Sequence, residues 1–461
     1  MAGQNLRGIA VVDVGYTNSK VILHDRHLQV LGERKLPSPH HKGQHYGEID
    51  VAAIMAFAKT AIIDLDKLLP IDRIVPCAHG ACIISLKPDG SLAVPAMDYM
   101  SEPPAEILEA YTAVAPGFAE TFSPQLPVAL LHAMQLFWQS RIMPEAFAQA
   151  TCIMPLMQYV AFALGGRRAT EISSLSCQSH LVDMRTGGPS SLAFSEGWAT
   201  KFPPLAKAWE VIGSFPDTLQ GEGLVLAGVH DSNANFLRYL ASGEDHFTLL
   251  STGTWIIGFD TQADMAELDP SRDIVANQSV FGKTIACGRF FGGKEFELVA
   301  GDAAKAAPQL AAIRHLVATG IMALPSFTDT GGPMPGTAER GRIIGTPASA
   351  EERVSLATLY CALMVSETLD ALHSQHTIIV DGPFSQNPVF LQILASLRPS
   401  QQLKASTARD GTAAGAACLA LMPDGEMPVM PVAMHDIAAV NIPGLKAYQA
   451  HWQNIARSNT A

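Results

Sequence analysis

Twice in this chain an apolar run stops at a short turn of glycine and small polar residues, then resumes. The first pair of runs covers residues 9–14 and 20–24, around Gly15-Tyr16-Thr17-Asn18. The second covers residues 247–250 and 255–259, around Ser251-Thr252-Gly253-Thr254. Short apolar runs bounded by turn chemistry read as strands, and each pair reads as a β-hairpin. A hairpin of this kind heading each half suggests a duplicated α/β unit. The polar stretch Ala241-Ser242-Gly243-Glu244-Asp245-His246 reads as the linker, so domains are expected at 1–243 and 244–461.

The rest of the chain fits alternating strands and helices. Helical spacing is expected over 51–69, 125–165, 233–240 and 387–397, with a long amphipathic helix over 351–372. Within 125–165, the apolar stretch 152–164 reads as a buried helix. Strands are expected at 72–77, 81–86, 224–229 and 377–380. Residues 325–347, rich in Gly, Pro and Thr, read as a long loop, and loops of that length are usually functional or mobile.

Composition narrows the function. The 461 residues carry 31 Lys and Arg against 43 Asp and Glu, a net charge of −12, with 48% hydrophobic and 16% charged residues. Such a chain buries a core rather than staying disordered. It lacks the basic excess with which nucleic-acid binders neutralise phosphates. No apolar run approaches the roughly 18 residues of a membrane span. The opening residues lack the apolar segment and cleavage site of a secretory signal. The seven cysteines are odd in number and form no C-x-x-C pair, which fits reduced thiols in a cytoplasm.

Five short stretches carry side chains suited to chemistry. Asp13 ends the first strand, and the turn after it offers backbone N–H groups, Thr17 and Asn18, then Lys20. Such a turn cradles phosphate oxygens, and Asp13 suits Mg²⁺ held through water. The second hairpin offers Ser251, Gly253 and Thr254 without the acid or the lysine. His230-Asp231 ends a strand just before a helix, where α/β folds meet ligands. Asp231 there could act as a general base or simply cap the helix. Asp381-Gly382-Pro383 followed by Asn387 makes a bend that lets a flat base approach the backbone, or an ordinary strand-to-helix turn. The small residues of 411–417 allow close helix packing, beside a ligand or not.

In this order and combination the stretches resemble the FGGY family of carbohydrate kinases, over residues 8–421. Within that family the chain is most similar to the rhamnulokinase and L-fuculokinase branch, through Asp13 to Lys20, His230-Asp231 and Ser385-Gln386-Asn387. The resemblance implies an α/β fold of two actin-like ATPase (ribonuclease H-like) domains with a ligand cleft between them. The implied N-terminal domain binds sugar and the C-terminal domain binds nucleotide. It implies transfer of the γ-phosphoryl group of ATP to a ketose hydroxyl, the best match being a deoxy-ketohexose such as L-rhamnulose or L-fuculose. Asp231 matches the catalytic base and Asp13 the metal-linked acid. His230, His79, Gly80, Asp98 and Tyr99 fall where the family contacts sugar. Thr17, Asn18, Lys20, Ser251, Gly253, Thr254, Gly382 and Asn387 match nucleotide-binding positions. ATP, Mg²⁺ and a small sugar are the implied ligands, with no nucleic acid and no membrane. A homodimer is the default assembly by base rate.

Three departures stand out. Tyr16 replaces a smaller or basic residue. The lysine signature expected near 150–160 is missing. Asp381-Gly382-Pro383 replaces a run of glycines. The alternatives on the same fold are a kinase for a pentulose, polyol or sugar acid, or a non-catalytic sugar- and ATP-binding regulator. A regulator would have no need of Asp231 as a base.

Overall fold

A computed structural model describes residues 7–219, 222–407, 411–422 and 429–459. The chain divides into two compact units. One comprises Met1–Gly243, Ala276–Thr284 and Asp410–Pro431; the other comprises Glu244–Val275, Ile285–Arg409 and Val432–Ala461. The expected C-terminal domain is therefore not one continuous stretch. In particular, the helix Gly411–Leu419 packs in the first unit, where a Cβ on Gly415 would stand 1.8 Å from the Ala234 carbonyl oxygen.

The first unit is built on a mixed sheet ordered Val211–Phe215, Gly223–Leu226, Ile71–Ala78, Gly8–Val14, Asn18–His24, Val30–Pro37. Gly8–Val14 and Asn18–His24 are the antiparallel hairpin expected from sequence, and Ile71–Ala78 runs parallel to the first of them. The helix Val51–Asp66 begins where the Asp50 side chain accepts the Ala53 N–H at 2.9 Å. Its Ile54, Ala58, Ile62 and Leu65 share a buried cluster with Ala10, Val12 and Val14 of the sheet.

Two expectations change here. The single strand expected at 224–229 breaks after Leu226 and resumes as Val229–His230. Gly228 takes φ +87°, and a Cβ there would lie 2.5 Å from the Pro76 carbonyl oxygen, so the backbone jogs where only glycine fits. The helix expected across 125–165 is also interrupted. Helices His132–Ile142 and Pro144–Ala148 are followed by the strand Cys152–Pro155, paired with Ile83–Leu86, and only then by the helix Leu156–Ala163. Pro155 has no N–H for a helical ladder, so the new helix starts after it.

The second unit repeats the strand plan. Phe247–Thr252 is antiparallel to Ile256–Asp260 and parallel to Thr377–Asp381, which is parallel in turn to Leu403–Ser406. Met434–Ile437 closes the sheet on that side, as Val211–Phe215 does in the first unit. The helix expected to be amphipathic, Ala350–Ala371, is instead buried almost all round. It is long and apolar enough to cross a membrane by composition, but 94% of its most apolar window is covered by protein, as a core helix is. All seven cysteines are buried thiols outside any disulfide.

The long loop over 325–347 is held from inside. The buried Glu295 carboxylate accepts the backbone N–H of Phe327 at 3.0 Å and of Thr328 at 2.9 Å. It also accepts the hydroxyls of Thr328 at 2.7 Å and Tyr360 at 2.8 Å. The strand Arg342–Ile344 then pairs with Met322–Leu324. Glu295→Leu leaves these donors buried without an acceptor, so it should cost roughly 3 kcal/mol or more. Chemical denaturation checks the cost, and limited proteolysis should cut within 325–340 in the variant but not in the parent.

Candidate active site

The parallel register of three strands sets the first unit's site. Asp13 is level with Cys77, and Cys77 with Val229; one step on, Val14 is level with Ala78, and Ala78 with His230. The strands therefore release His79 and Asp231 at one edge of the sheet. Both Asp13 and Asp231 act on the buried Cys77 thiol, whose pKa burial raises first and the two carboxylates raise further.

His230 and Asp231 form a close pair, with Nε2 3.1 Å from Oδ1. Asp231 opens the helix Asp231–Leu240, and its Oδ1 also accepts the Ser232 N–H at 2.6 Å. That is not the capping role considered from sequence, because the N-cap residue is His230 and it makes no side-chain cap bond. The Asp231 side chain is 30% exposed and that of His230 8%. Burial, the largest single influence, favours the neutral acid at Asp231, but the bond and charge of His230, the charge of His79 and the Ser232 N–H together outweigh it and hold the carboxyl below its ordinary range. For His230 burial opposes charge, while Cys177 and Asp231 favour it and prevail.

Beside this pair lies a wall of rings. Tyr16 packs on His40 at 4.6 Å and on Tyr99 at 4.7 Å between ring centroids, and His79 meets Tyr99 at 5.5 Å. Asp98 ties the wall together. Its Oδ2 accepts from His40 Nδ1 at 2.9 Å and from the Tyr16 hydroxyl at 3.3 Å, and its Oδ1 accepts the Met100 N–H at 2.9 Å. Both carboxylate oxygens are thus engaged within the protein. Burial, with the Asp98 charge second, pushes the Tyr16 hydroxyl up to about 12.

Gly80 is where space runs out. A Cβ there would stand 2.6 Å from Cys177 Sγ and 2.8 Å from His230 Nε2. The Gly80 carbonyl also accepts from the buried His132 Nε2. Burial lowers the pKa of both His79 and His132 from 6.5 to about 4.

The hairpin turn is closed by Gly15 N–H on the Asn18 carbonyl at 3.0 Å and braced by the Ser38 hydroxyl on the Gly15 carbonyl at 2.7 Å. Thr17 is exposed and Asn18 half-buried. Lys20 sits directly across from Asp13 and on its side of the sheet, with Nζ 4.0 Å from Glu33.

In the second unit Ser251 is level with Asp381 at the ends of parallel strands. Thr252, not singled out from sequence, clamps the glycine turn. Its hydroxyl donates to the Asp381 carbonyl at 2.5 Å and accepts the Phe384 N–H at 3.0 Å. Gly382 has φ +84°, and a Cβ there would lie 2.0 Å from the Thr252 carbonyl oxygen. Gly253 and Thr254 form the hairpin tip, against which Gly293 packs closely enough that a Cβ would lie 2.4 Å from the Gly253 carbonyl oxygen. Asn387 caps the helix Pro388–Leu397, accepting the Phe390 N–H at 3.0 Å. Trp255 stacks on Phe291 at 4.3 Å beside this hairpin.

The comparisons with known proteins fit this architecture. Residues 244–428 match the family model "Carbohydrate kinase FGGY, C-terminal domain". The structure of a carbohydrate kinase from Novosphingobium aromaticivorans is 31% identical, with 99% of this chain and 100% of that one covered and a TM-score of 0.89. The chain belongs to the FGGY carbohydrate kinase family. It has the family's two-domain actin-like ATPase fold and is an ATP-dependent sugar kinase. Two further structures share the fold at lower identity. They are a xylulose kinase from Lactobacillus acidophilus (16% identity, 99% of each chain, TM-score 0.84) and a glycerol kinase from Plasmodium falciparum (14%, 99% of each, 0.81). No curated protein sequence matches.

The sequence called His79, Gly80, Asp98, Tyr99, His230 and Asp231, and the fold of this sugar kinase gathers them in one unit. It adds Tyr16, His40, His132, Cys177 and Asn233, and in the other unit Thr252 and Gly293. Tyr16 and Thr252 lie in the two glycine turns and Asn233 two residues after Asp231, whereas nothing in local sequence marks His40, His132, Cys177 or Gly293.

Two measurements follow. Gly80→Ala should lower stability by about 1–3 kcal/mol through overpacking and lower sugar-dependent turnover, read by thermal denaturation and ADP release. The buried histidines make folding proton-linked. Unfolded imidazoles take up protons below 6.5 and the folded ones only near 4. Stability should therefore be full above pH 6.5 and fall as the pH drops below it. Thermal melts across that range check this, and His132→Gln should flatten the slope.

Proposed function

We propose that this enzyme transfers the γ-phosphoryl group of ATP to a hydroxyl of a ketose, with Asp231 as the general base. The observation that carries the reading is the 3.1 Å His230–Asp231 pair at the strand edge, beside His79 and the ring wall. A carboxylate held anionic by its neighbour is ready to orient a hydroxyl and accept its proton as the phosphoryl group transfers. Phosphoryl transfer asks for little more than positioning and charge stabilisation, so a rigid strand edge is a suitable platform.

A deoxy-ketohexose such as L-rhamnulose or L-fuculose is the best-supported acceptor. Asp98 is already engaged by His40, Tyr16 and Met100, so the wall it braces presents rings rather than a spare carboxylate. Ring faces favour a methyl terminus over another hydroxyl. His230 before the base is the feature through which the sequence resembles the rhamnulokinase and L-fuculokinase branch. Sugar contacts are assigned to His79, Gly80, Tyr99 and His230, with Asp98 acting through Tyr16 and His40.

For the nucleotide, Thr17, Asn18 and Lys20 in one unit and Ser251, Gly253, Thr254, Gly382 and Asn387 in the other are assigned to ATP. Asp13 fits Mg²⁺: it is a half-buried carboxylate at a strand end beside a glycine turn, and Mg²⁺ takes few protein oxygens and keeps water and phosphate ligands. Bound there, the ion would neutralise phosphate charge. Asn387 also caps its helix, so its assignment concerns the amide nitrogen and not Oδ1.

The test is Asp231→Ala. Turnover should fall by about 10²–10⁴-fold, the range of general-base catalysis, while ATP binding by calorimetry is retained. Near-normal turnover would sink the assignment. A screen of L-rhamnulose, L-fuculose, L-ribulose, D-xylulose, polyols and aldonates for sugar-stimulated ADP release should rank a 6-deoxy-ketohexose first. A higher kcat/KM for an aldonate or polyol would overturn the acceptor.

A further inference from the structure

The ring of His230 is fixed on three sides. Nε2 lies 3.1 Å from Asp231 Oδ1, and Nδ1 lies 3.2 Å from the Asn233 amide nitrogen Nδ2. The ring edge abuts Gly80, where even a methyl group would come within 2.8 Å of Nε2. Asn233 is 2% exposed and stands on the first turn of the helix that Asp231 begins. All the hydrogen bonds seen at Asp231, from His230, the Ser232 N–H and the Ser232 hydroxyl, fall on Oδ1.

We propose that Asn233 is a positioning residue for the phosphoryl-transfer base. By gripping Nδ1 it keeps His230 turned so that Nε2–H donates to Asp231 Oδ1, which leaves Oδ2 to meet the substrate hydroxyl. The inference rests on the reading of Asp231 as the base.

An amide is suited to this task. It offers a carbonyl to an Nδ1 that carries a proton and an N–H to one that does not, so the ring keeps its orientation in either state. It carries no charge of its own to titrate. The other titratable groups facing His230 are Asp231 on the same helix, Cys177 after the helix Ile172–Ser176, His79 at the end of Ile71–Ala78, and His132. The structure places Cys177 and Asp231 on the Nε2 side; Nδ1 faces the amide. Losing the amide frees the ring to turn, and Asp231 then loses the side-chain donor that most favours its carboxylate form.

Sugar-stimulated ADP release by Asn233→Ala and Asn233→Asp across the acid limb of the kcat profile tests this. Asn233→Ala should lower kcat roughly fivefold, the worth of one hydrogen bond, leave KM for ATP unchanged, and move the acid limb to higher pH. Asn233→Asp puts a carboxylate oxygen where the amide nitrogen stands, which grips Nδ1 by accepting from the Nδ1–H of a protonated ring, so its acid limb should return to the parent position or lie below it. If Asn233→Ala keeps the parent acid limb, or if both variants move it upward alike, the proposal is overturned. Should Asn233→Ala fail to fold, the limb of Asn233→Asp decides: at or below the parent it supports the proposal, above it refutes it. An active Asp231→Ala would refute the base assignment itself. An inactive Asp231→Ala beside a parent-like Asn233→Ala would refute the role of Asn233 alone.

Discussion

The backbone register that levels Asp13 with Cys77 and His230 with Ala78 is the constraint on which the first unit's site depends. Parallel strands bring their C-terminal ends to one edge, and hydrogen-bonded ladders fix that edge within the tolerance of a peptide bond. A side chain on the residue after each strand then projects from a rigid platform. His79 and Asp231 occupy such positions, and Asp13 sits two residues before the turn of the neighbouring hairpin. The jog at Gly228 belongs to the same constraint. It shifts Val229–His230 onto Ile71–Ala78 after Gly223–Leu226 has already paired with it.

The same plan serves a different end in the second unit. Ser251 and Asp381 are level there, and the Thr252 hydroxyl joins the two strand ends through both its donor and its acceptor. Gly382 is required because its backbone lies against that clamp. The result is a stiff glycine turn beside a hairpin tip, with Gly293 packed on the tip. Backbone N–H groups in such turns are fixed partial positive charges. They need no positive net charge in the protein, so a net charge of −12 is compatible with an ATP-dependent kinase. Net charge speaks to solubility and long-range steering, whereas phosphates are bound at hydrogen-bond range.

Burial shapes the chemistry around Asp231. Desolvation favours the neutral imidazole at both His79 and His132. Asp231 favours the carboxylate because the bond and charge of His230, with His79 and the Ser232 N–H, together outweigh the same desolvation. Neighbouring groups in one low-dielectric site thus reach opposite outcomes: at Asp231 the bonds and charges together outweigh burial, whereas at His132 the bond to the Gly80 carbonyl does not. Asp98 shows a third outcome. It is buried but fully bonded, and its role is to brace Tyr16 against the loop that carries Tyr99.

Much of the fold was legible in the sequence because apolar runs and turn residues act locally. The two hairpins, the strand ends at His230 and Asp381, and the helices after them follow from periodicity and from glycine and polar turn chemistry. The errors have local causes as well. A lone glycine with positive φ splits one strand, a proline resets one helix, and an almost wholly buried helix carries an amphipathic pattern because polar residues such as Thr358, Tyr360 and Glu367 find partners inside. Which chemistry-bearing residues meet was a different matter. Asp13, His79 and Asp231 are far apart in the chain, His40 carries no signal of function in its own neighbourhood, and Asn233 follows Asp231 with nothing to say which atom it faces. Sequence determined the elements and the residue types at their ends. Only the tertiary structure decided that Asn233 faces Nδ1 of His230, that Asp98 is already engaged, and that Gly411–Leu419 packs with the first unit, because those contacts are set by strand register and helix packing between distant segments.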